Sequence, residues 1–105
     1  MTDKIVVFST CATRDEATKI ARKLIEDRLA ACVNVFPGMT SIYIWEGKRQ
    51  RESEAAMLIK TRSGLAAKVV QEARKLHTYS NPALLVLPIE DGSDDFLRWI
   101  VEQTT

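Results

Sequence analysis

Apolar positions along this chain recur with two periods, and the switches between them predict an alternation of strands and helices. Residues 4–10, KIVVFST, form a short apolar run of strand type, expected to be buried on both faces. Thr13-Arg14-Asp15-Glu16 then has capping-box spacing, with Thr13 as N-cap and the Glu16 side chain reaching back. Ala17, Ile20, Ala21, Leu24 and Ile25 follow at helical intervals, while Lys19, Arg22, Lys23 and Glu26 face water, so an amphipathic helix is expected over 14–28. A second helix is expected over 64–76, opening at Ser63-Gly64 and burying Leu65, Val69, Val70, Ala73 and Leu76. His77-Thr78-Tyr79-Ser80-Asn81-Pro82 is a polar loop closed by a residue that cannot continue a helix. Ala83–Ile89, ALLVLPI, reads as a last strand. Asp91-Gly92-Ser93 turns into a short helix over 94–102, whose Phe96, Leu97, Trp99, Ile100 and Val101 form an apolar patch.

Between the two long helices lies a stretch that dominates the chain. Residues 29–62 predict one β-ribbon, out along 31–46 and back along 52–61, turning at Glu46-Gly47-Lys48. A strand of that length runs roughly 50 Å, against a radius of gyration of about 13 Å for a compact domain of this size. The ribbon must overshoot its domain or break, and Pro37-Gly38 is the expected place for a bulge or kink. On the far arm, Ile42 and Ile44 point one way and Tyr43 and Trp45 the other, since strand side chains alternate. A hairpin arm cannot bury both faces alone. Either a helix of the same chain covers the second face, or another subunit does.

The resulting order, β-α-β-β-α-β plus a C-terminal helix, predicts an α+β, ferredoxin-like fold in a single domain over 1–105. In that topology the first strand and the returning arm of the ribbon are central. The last strand is a nominal edge that is apolar at nearly every position. Such an edge needs a cover, from the C-terminal helix or a neighbouring chain, which is a second pointer to assembly.

Composition narrows the function classes. The chain has 105 residues, 46% hydrophobic and 28% charged, with a net charge of +1. That balance gives no global field toward nucleic acid or an anionic membrane, and the aromatics Tyr43 and Trp45 have no basic residues between them to track a nucleic-acid backbone. The longest apolar run, Ala83–Ile89, is too short to span a bilayer and contains Pro88. Only Ile5–Phe8 follow Lys4, so no signal-peptide core is read. Cys11 and Cys32 are too few and too far apart for a disulfide framework or zinc knuckle, and predict reduced thiols in a cytoplasmic protein.

Catalytic signatures are missing: there is no GxSxG, no phosphate-cradling glycine loop and no HExxH. His77 is the only histidine, and spacing alone reads it as a surface residue capping the second helix. Cys11 could be a soft metal ligand, but spacing alone reads it and Cys32 as core packing. Lys48-Arg49-Gln50-Arg51, balanced by Glu46, Glu52 and Glu54, reads as a solvated turn.

At LAACVNVFPG, SIYIWEGK and LPIEDG, read with EATKIARKLIEDRLAAC, the sequence resembles the CutA family of divalent-cation tolerance proteins, from about Ile5 to Ile100. The resemblance implies a ferredoxin-like subunit in a homotrimer, a role in response to copper and other divalent cations, and copper binding rather than enzymatic activity. It also implies an intersubunit cleft whose polar residues match Trp45, Glu46, Lys60, His77 and Tyr79. The family pattern after the second helix is H-P-Y-x-x-P-E; here Thr78 replaces the first proline and Ala83 the glutamate. By this resemblance His77 and Cys11 become the metal ligands, for copper or another divalent cation weakly held. Three other readings stand beside it. One is a signalling trimer like the PII-type regulators, with an anionic ligand held by Lys60 and His77. Another is a structural trimer acting as a scaffold. The third is an acylphosphatase-like enzyme, for which Arg14 is present but the loop 9–13 has no glycine.

Overall fold

The computed structural model describes residues 2–105. The elements are β1 (Lys4–Cys11), α1 (Arg14–Glu26), β2 (Cys32–Trp45), β3 (Lys48–Arg62), a 3-10 turn (Ser63–Leu65), α2 (Ala66–Leu76), β4 (Leu84–Pro88) and α3 (Asp94–Gln103). The sheet runs β2-β3-β1-β4 with every neighbouring pair antiparallel. This is the expected ferredoxin-like order, with β1 and β3 central and β4 at an edge. Among the described residues no helix is long and apolar enough to cross a membrane.

One face of the sheet carries the core. Val7, Met57 and Ile59 pack with Ala17, Ile20 and Leu24 of α1 and with Val69 and Ala73 of α2, all fully buried. Each of the larger side chains contributes about 1.5–3 kcal/mol by leaving water. β1 is not buried on both faces as expected; it alternates strictly between buried and half-buried residues. The reason is that α1 and α2 cover only one side of it. Ile25, assigned to the buried face of α1, is exposed, and Cys32, expected in the core, is half-exposed.

The helix ends also differ from expectation in instructive ways. Thr13 caps α1 by accepting the Glu16 N–H at 3.1 Å, but the Glu16 carboxylate does not reach back. Only half of the capping box forms. α1 stops at Glu26 because Arg28 takes a left-handed conformation, φ 57°. The N–H of Arg28 bonds to Ile25 O and that of Leu29 to Leu24 O, which closes the helix in a Schellman arrangement. The chain after β3 starts with a tight 3-10 turn, so α2 begins at Ala66 rather than 64.

The ribbon overshoots the sheet and also bends. The last rung of β1 is Cys11 opposite Ala55, whereas β2 and β3 stay paired out to Trp45 opposite Lys48. The molecule is accordingly elongated, 44 × 26 × 23 Å. The register slips between Phe36 and Met39, at the expected Pro37-Gly38 bulge, with Gly38 at φ 75°. β3 starts at Lys48 instead of 52, because Glu46 (φ 51°) and Gly47 (φ 78°) form a two-residue turn of type I′ that lets pairing begin at once.

Neither face of the far arm is covered by a helix of the same chain. Ile42 and Ile44 are 66% and 65% exposed on one side, and Tyr43 and Trp45 are 40% and 46% exposed on the other. On β4, Leu85, Val86 and Leu87 are likewise open, so α3 does not cover that edge. It docks elsewhere, on β3. Ile100 is fully buried, and Arg62 donates from Nε to Thr104 Oγ1 at 2.9 Å and from Nη2 to Thr104 O at 2.7 Å.

Candidate functional site

The polar loop after α2 closes over the end of β1, and there it builds a compact node. Its centre is His77, whose side chain is fully buried. This corrects the expectation of a surface cap. Nδ1 accepts the Tyr79 N–H at 3.2 Å, which places the ring proton on Nε2, and Nε2 donates to Thr10 O at 2.8 Å. Cys11 Sγ lies 3.6 Å from Nε2. Glu16 lies on the other side, with Oε2 3.4 Å from Nδ1.

The Glu16 carboxylate is itself held by Thr78, which donates its N–H to Oε2 at 2.8 Å and its hydroxyl to Oε1 at 2.9 Å. Loss of the capping-box contact is thereby explained: backbone and hydroxyl donors from the loop outbid a single N–H at the helix start. Thr78 stands where the family pattern has proline, and a proline could supply neither donor. Cys11, Glu16 and His77 place one ligand atom each within 4.8 Å of one another. Burial, with the nearby charges of Glu16 and Glu54, pushes the Cys11 thiol up to about 12, so it carries its proton at neutral pH.

Beside this node, where the ribbon leaves the sheet, lies a cleft of about 490 Å³. Thr10, Tyr43, Trp45, Glu54, Tyr79 and Asn81 contribute to its lining. Register puts Tyr43 and Trp45 on the same face as Glu54, because these β2 residues pair with Gln50 and Lys48 and Met39 pairs with Glu54. Glu54 is 7% exposed and accepts the Tyr79 hydroxyl at Oε2, 2.7 Å. Burial and that bond raise the Tyr79 phenol above its ordinary range. The Tyr79 ring also lies against His77, with centroids 5.0 Å apart.

Of the residues assigned from sequence, Cys11 and His77 meet as expected, and Trp45 and Tyr79 line one cleft. Glu46 sits exposed at the ribbon tip and is not part of the lining. Lys60 is not brought to this cleft within the chain. It lies six positions further along β3 from Glu54, about 20 Å of strand, with Nζ 5.4 Å from the centroid of Phe96. Two carboxylates that the structure brings to this region were not assigned to it from sequence. Glu16 was assigned to a cap and Glu54 to charge balance at the turn. The available signal for Glu54 was its place on the face of Tyr43 and Trp45 once the bulge is allowed for. Ala83, in place of the family glutamate, lines the cleft, so Glu16 is the carboxylate next to His77.

Residues 5–103 match the family model for CutA1, the divalent ion tolerance protein. A divalent-cation tolerance protein CutA from Archaeoglobus fulgidus is 44% identical over 96 residues, covering 91% of this chain and 93% of that protein. Chloroplastic CutA from Arabidopsis thaliana is 41% identical over 100 residues and 95% of this chain; the chain spans only 55% of that relative's length. Among solved structures, the one described as the periplasmic divalent cation tolerance protein CutA of Archaeoglobus fulgidus superposes with a TM-score of 0.94. It is 41% identical, with 97% of this chain and 99% of that chain covered.

Proposed function

The chain belongs to the CutA1 divalent ion tolerance family, and from that premise we propose that it is a cytoplasmic homotrimer that binds copper, or another divalent cation weakly, through Cys11 and His77. The observation that carries this reading is the convergence of thiol, imidazole and carboxylate within 4.8 Å at Cys11, His77 and Glu16. A donor set of sulfur, nitrogen and one oxygen suits copper and other borderline or soft metal ions better than magnesium or calcium. Metal ligation needs the thiolate and a free imidazole nitrogen. The Cys11 proton must therefore leave, and a His77 hydrogen bond to Thr10 or Tyr79 must be given up. Both requirements make binding weak, and the first makes it weaker as pH falls.

The family is one of divalent-cation tolerance proteins, not a known enzyme family. We read this member as non-enzymatic too. The Cys11–His77 pair resembles a nucleophile and base by distance, yet a buried thiol raised to about 12 is the reverse of an activated one. Trimer formation is supported by two open apolar rows, Ile42 with Ile44 on the ribbon and Leu85 with Leu87 on the β4 edge.

Native mass spectrometry with and without stoichiometric copper tests assembly and metal together. The expected outcome is a trimer with a fixed copper count per subunit, lost in the Cys11→Ser, His77→Ala double variant. A metal-free trimer, or unchanged uptake in the double variant, sinks the metal assignment; a monomer sinks the assembly. Cell fractionation decides the compartment, and recovery with periplasmic markers would refute the cytoplasmic assignment. A second reading, a small-ligand-binding trimer, is favoured by the 490 Å³ cleft. The anionic ligand that Lys60 and His77 would hold needs a cation supplied across a subunit boundary, since no Lys, Arg or His among the described residues of the same chain lines that cleft.

A further inference from the structure

We propose that Glu16 serves a metal ion held by Cys11 and His77 from behind the imidazole, as a positioning residue that fixes the ring and not as a third ligand. The inference rests on the Cys11–His77 reading above and assigns the remaining carboxylate of that node.

The thiol and the carboxylate lie against different nitrogens of the ring. Cys11 Sγ is 3.6 Å from Nε2, whereas Glu16 Oε2 is 3.4 Å from Nδ1. A separation of 3.6 Å lets one ion reach both Nε2 and Sγ at about 2.0 Å and 2.3 Å, the ordinary zinc–imidazole and zinc–thiolate lengths. Glu16 is held on the other side. Thr78 donates its N–H to Oε2 at 2.8 Å and its hydroxyl to Oε1 at 2.9 Å, which engages both oxygens. To become a ligand beside Nε2, the carboxylate would have to leave those donors and pass the ring edge.

As the ring stands, Glu16 gains little from His77. Nδ1 accepts the Tyr79 N–H and Nε2 donates to Thr10 O, so a carboxylate oxygen faces a nitrogen without a proton. The opposite tautomer gives that placement a use. When Nε2 turns its lone pair to an ion, it gives its proton to solvent and Nδ1 takes one up from solvent, so the ring stays neutral. Nδ1–H then donates to Glu16 Oε2, and the Tyr79 N–H gives up its acceptor. A carboxylate that receives the second N–H of a ligating histidine fixes its tautomer, orients the ring and raises its basicity. The net proton released comes from the Cys11 thiol alone.

The test is a zinc titration of the full chain, isotope-labelled at the histidine ring nitrogens and followed by NMR. His77 is the only histidine, so the imidazole spectrum contains one ring. The ring proton is expected on Nε2 before zinc is added and on Nδ1 afterwards, its resonance far downfield as for an N–H on a carboxylate. Glu16→Gln keeps an oxygen for Thr78 and is expected to bind zinc about tenfold to a hundredfold more weakly, with Nε2 still the ligand and the Nδ1 proton resonance moved upfield. Zinc bound at Nδ1 overturns the proposal. So does a Glu16→Gln chain with unchanged zinc affinity or an unmoved Nδ1 proton, and both outcomes leave the metal at the node. A ring that does not respond to zinc at all refutes the Cys11–His77 reading itself, and the proposal with it. If Glu16→Gln fails to fold, the wild-type ring decides: an unprotonated Nδ1 in the zinc-bound chain leaves Glu16 nothing to accept.

Discussion

Glu16 and Glu54 are both held by the loop that follows α2, and the fold treats them in opposite ways. Glu16 takes two donors from Thr78 and lies beside the His77 ring, so its charge is enclosed in a self-satisfied knot. Glu54, more deeply covered, takes one hydroxyl from Tyr79 and faces a cleft walled by Tyr43 and Trp45. The difference teaches how the number of donors sets what a carboxylate does. A carboxylate saturated with donors holds a loop in place, while one left with a single donor keeps its field directed into the cleft.

Removing the saturated member should have the largest effect. Glu16→Ala strips Thr78 of its acceptor, leaves the Thr78 N–H unpaired and deletes an acidic residue from the first turn of α1. We expect about 3 kcal/mol of destabilisation in urea unfolding. A loss under about 1 kcal/mol would mean the knot is not what anchors the loop.

A second, intermediate effect reads both carboxylates at once through Cys11. Its thiol is raised from 9.0 to about 12 by burial and by the charges of Glu16 and Glu54. In the native state the proton is retained between those two values, while the unfolded chain gives it up. Stability from this group is therefore complete below pH 9 and lost as pH rises toward 12. Denaturant midpoints measured from pH 7 to 10.5 should decline above 9 in the wild type and decline less in Cys11→Ala. Parallel curves for the two proteins would show that the thiol is not carrying the slope.

The smallest effect should come from the unsaturated member. Glu54→Gln removes a buried charge without a cation and keeps an acceptor for Tyr79, so thermal stability in the absence of ligand should change by less than about 0.5 kcal/mol or rise. A large loss would place Glu54 with Glu16 as a structural group and end the contrast.

Local pattern carried most of the fold to the reader. Two hydrophobic periods located every element, and the alternation in SIYIW separated the isoleucine face from the aromatic face before any pairing was known. Contacts across long stretches of sequence were not legible. Glu16 meets Thr78 and His77 meets Thr10 only after the sheet brings β1 under the loop. A capping box is a local rule, and it lost to two donors that local rules do not see. Lys60 was grouped by resemblance with an intersubunit cleft; within one chain its position on β3 puts it beside Phe96. Arg28 could not be foreseen as the left-handed residue ending α1, because that position usually belongs to glycine.

The bulge at Pro37-Gly38 has a consequence in the arithmetic of the ribbon. At its base, Val35 faces Met57 and Phe36 faces Ala56. Carried straight outward, that register would set Trp45 opposite Gly47 with Glu46 alone between them, and a chain cannot reverse on one residue. The extra residue at the bulge changes the parity of the pairing, so that Trp45 meets Lys48 and a two-residue turn suffices. The same change of parity turns Tyr43 and Trp45 onto the face of Glu54, where an unbroken ribbon with a three-residue turn would present Ile42 and Ile44. Which face the arm presents is thus set by parity as much as by length: pairing both Pro37 and Gly38, with the count unchanged, would lengthen the turn to three residues and exchange the walls of the cleft, whereas losing one bulge residue would keep Trp45 opposite Lys48 and leave the walls in place.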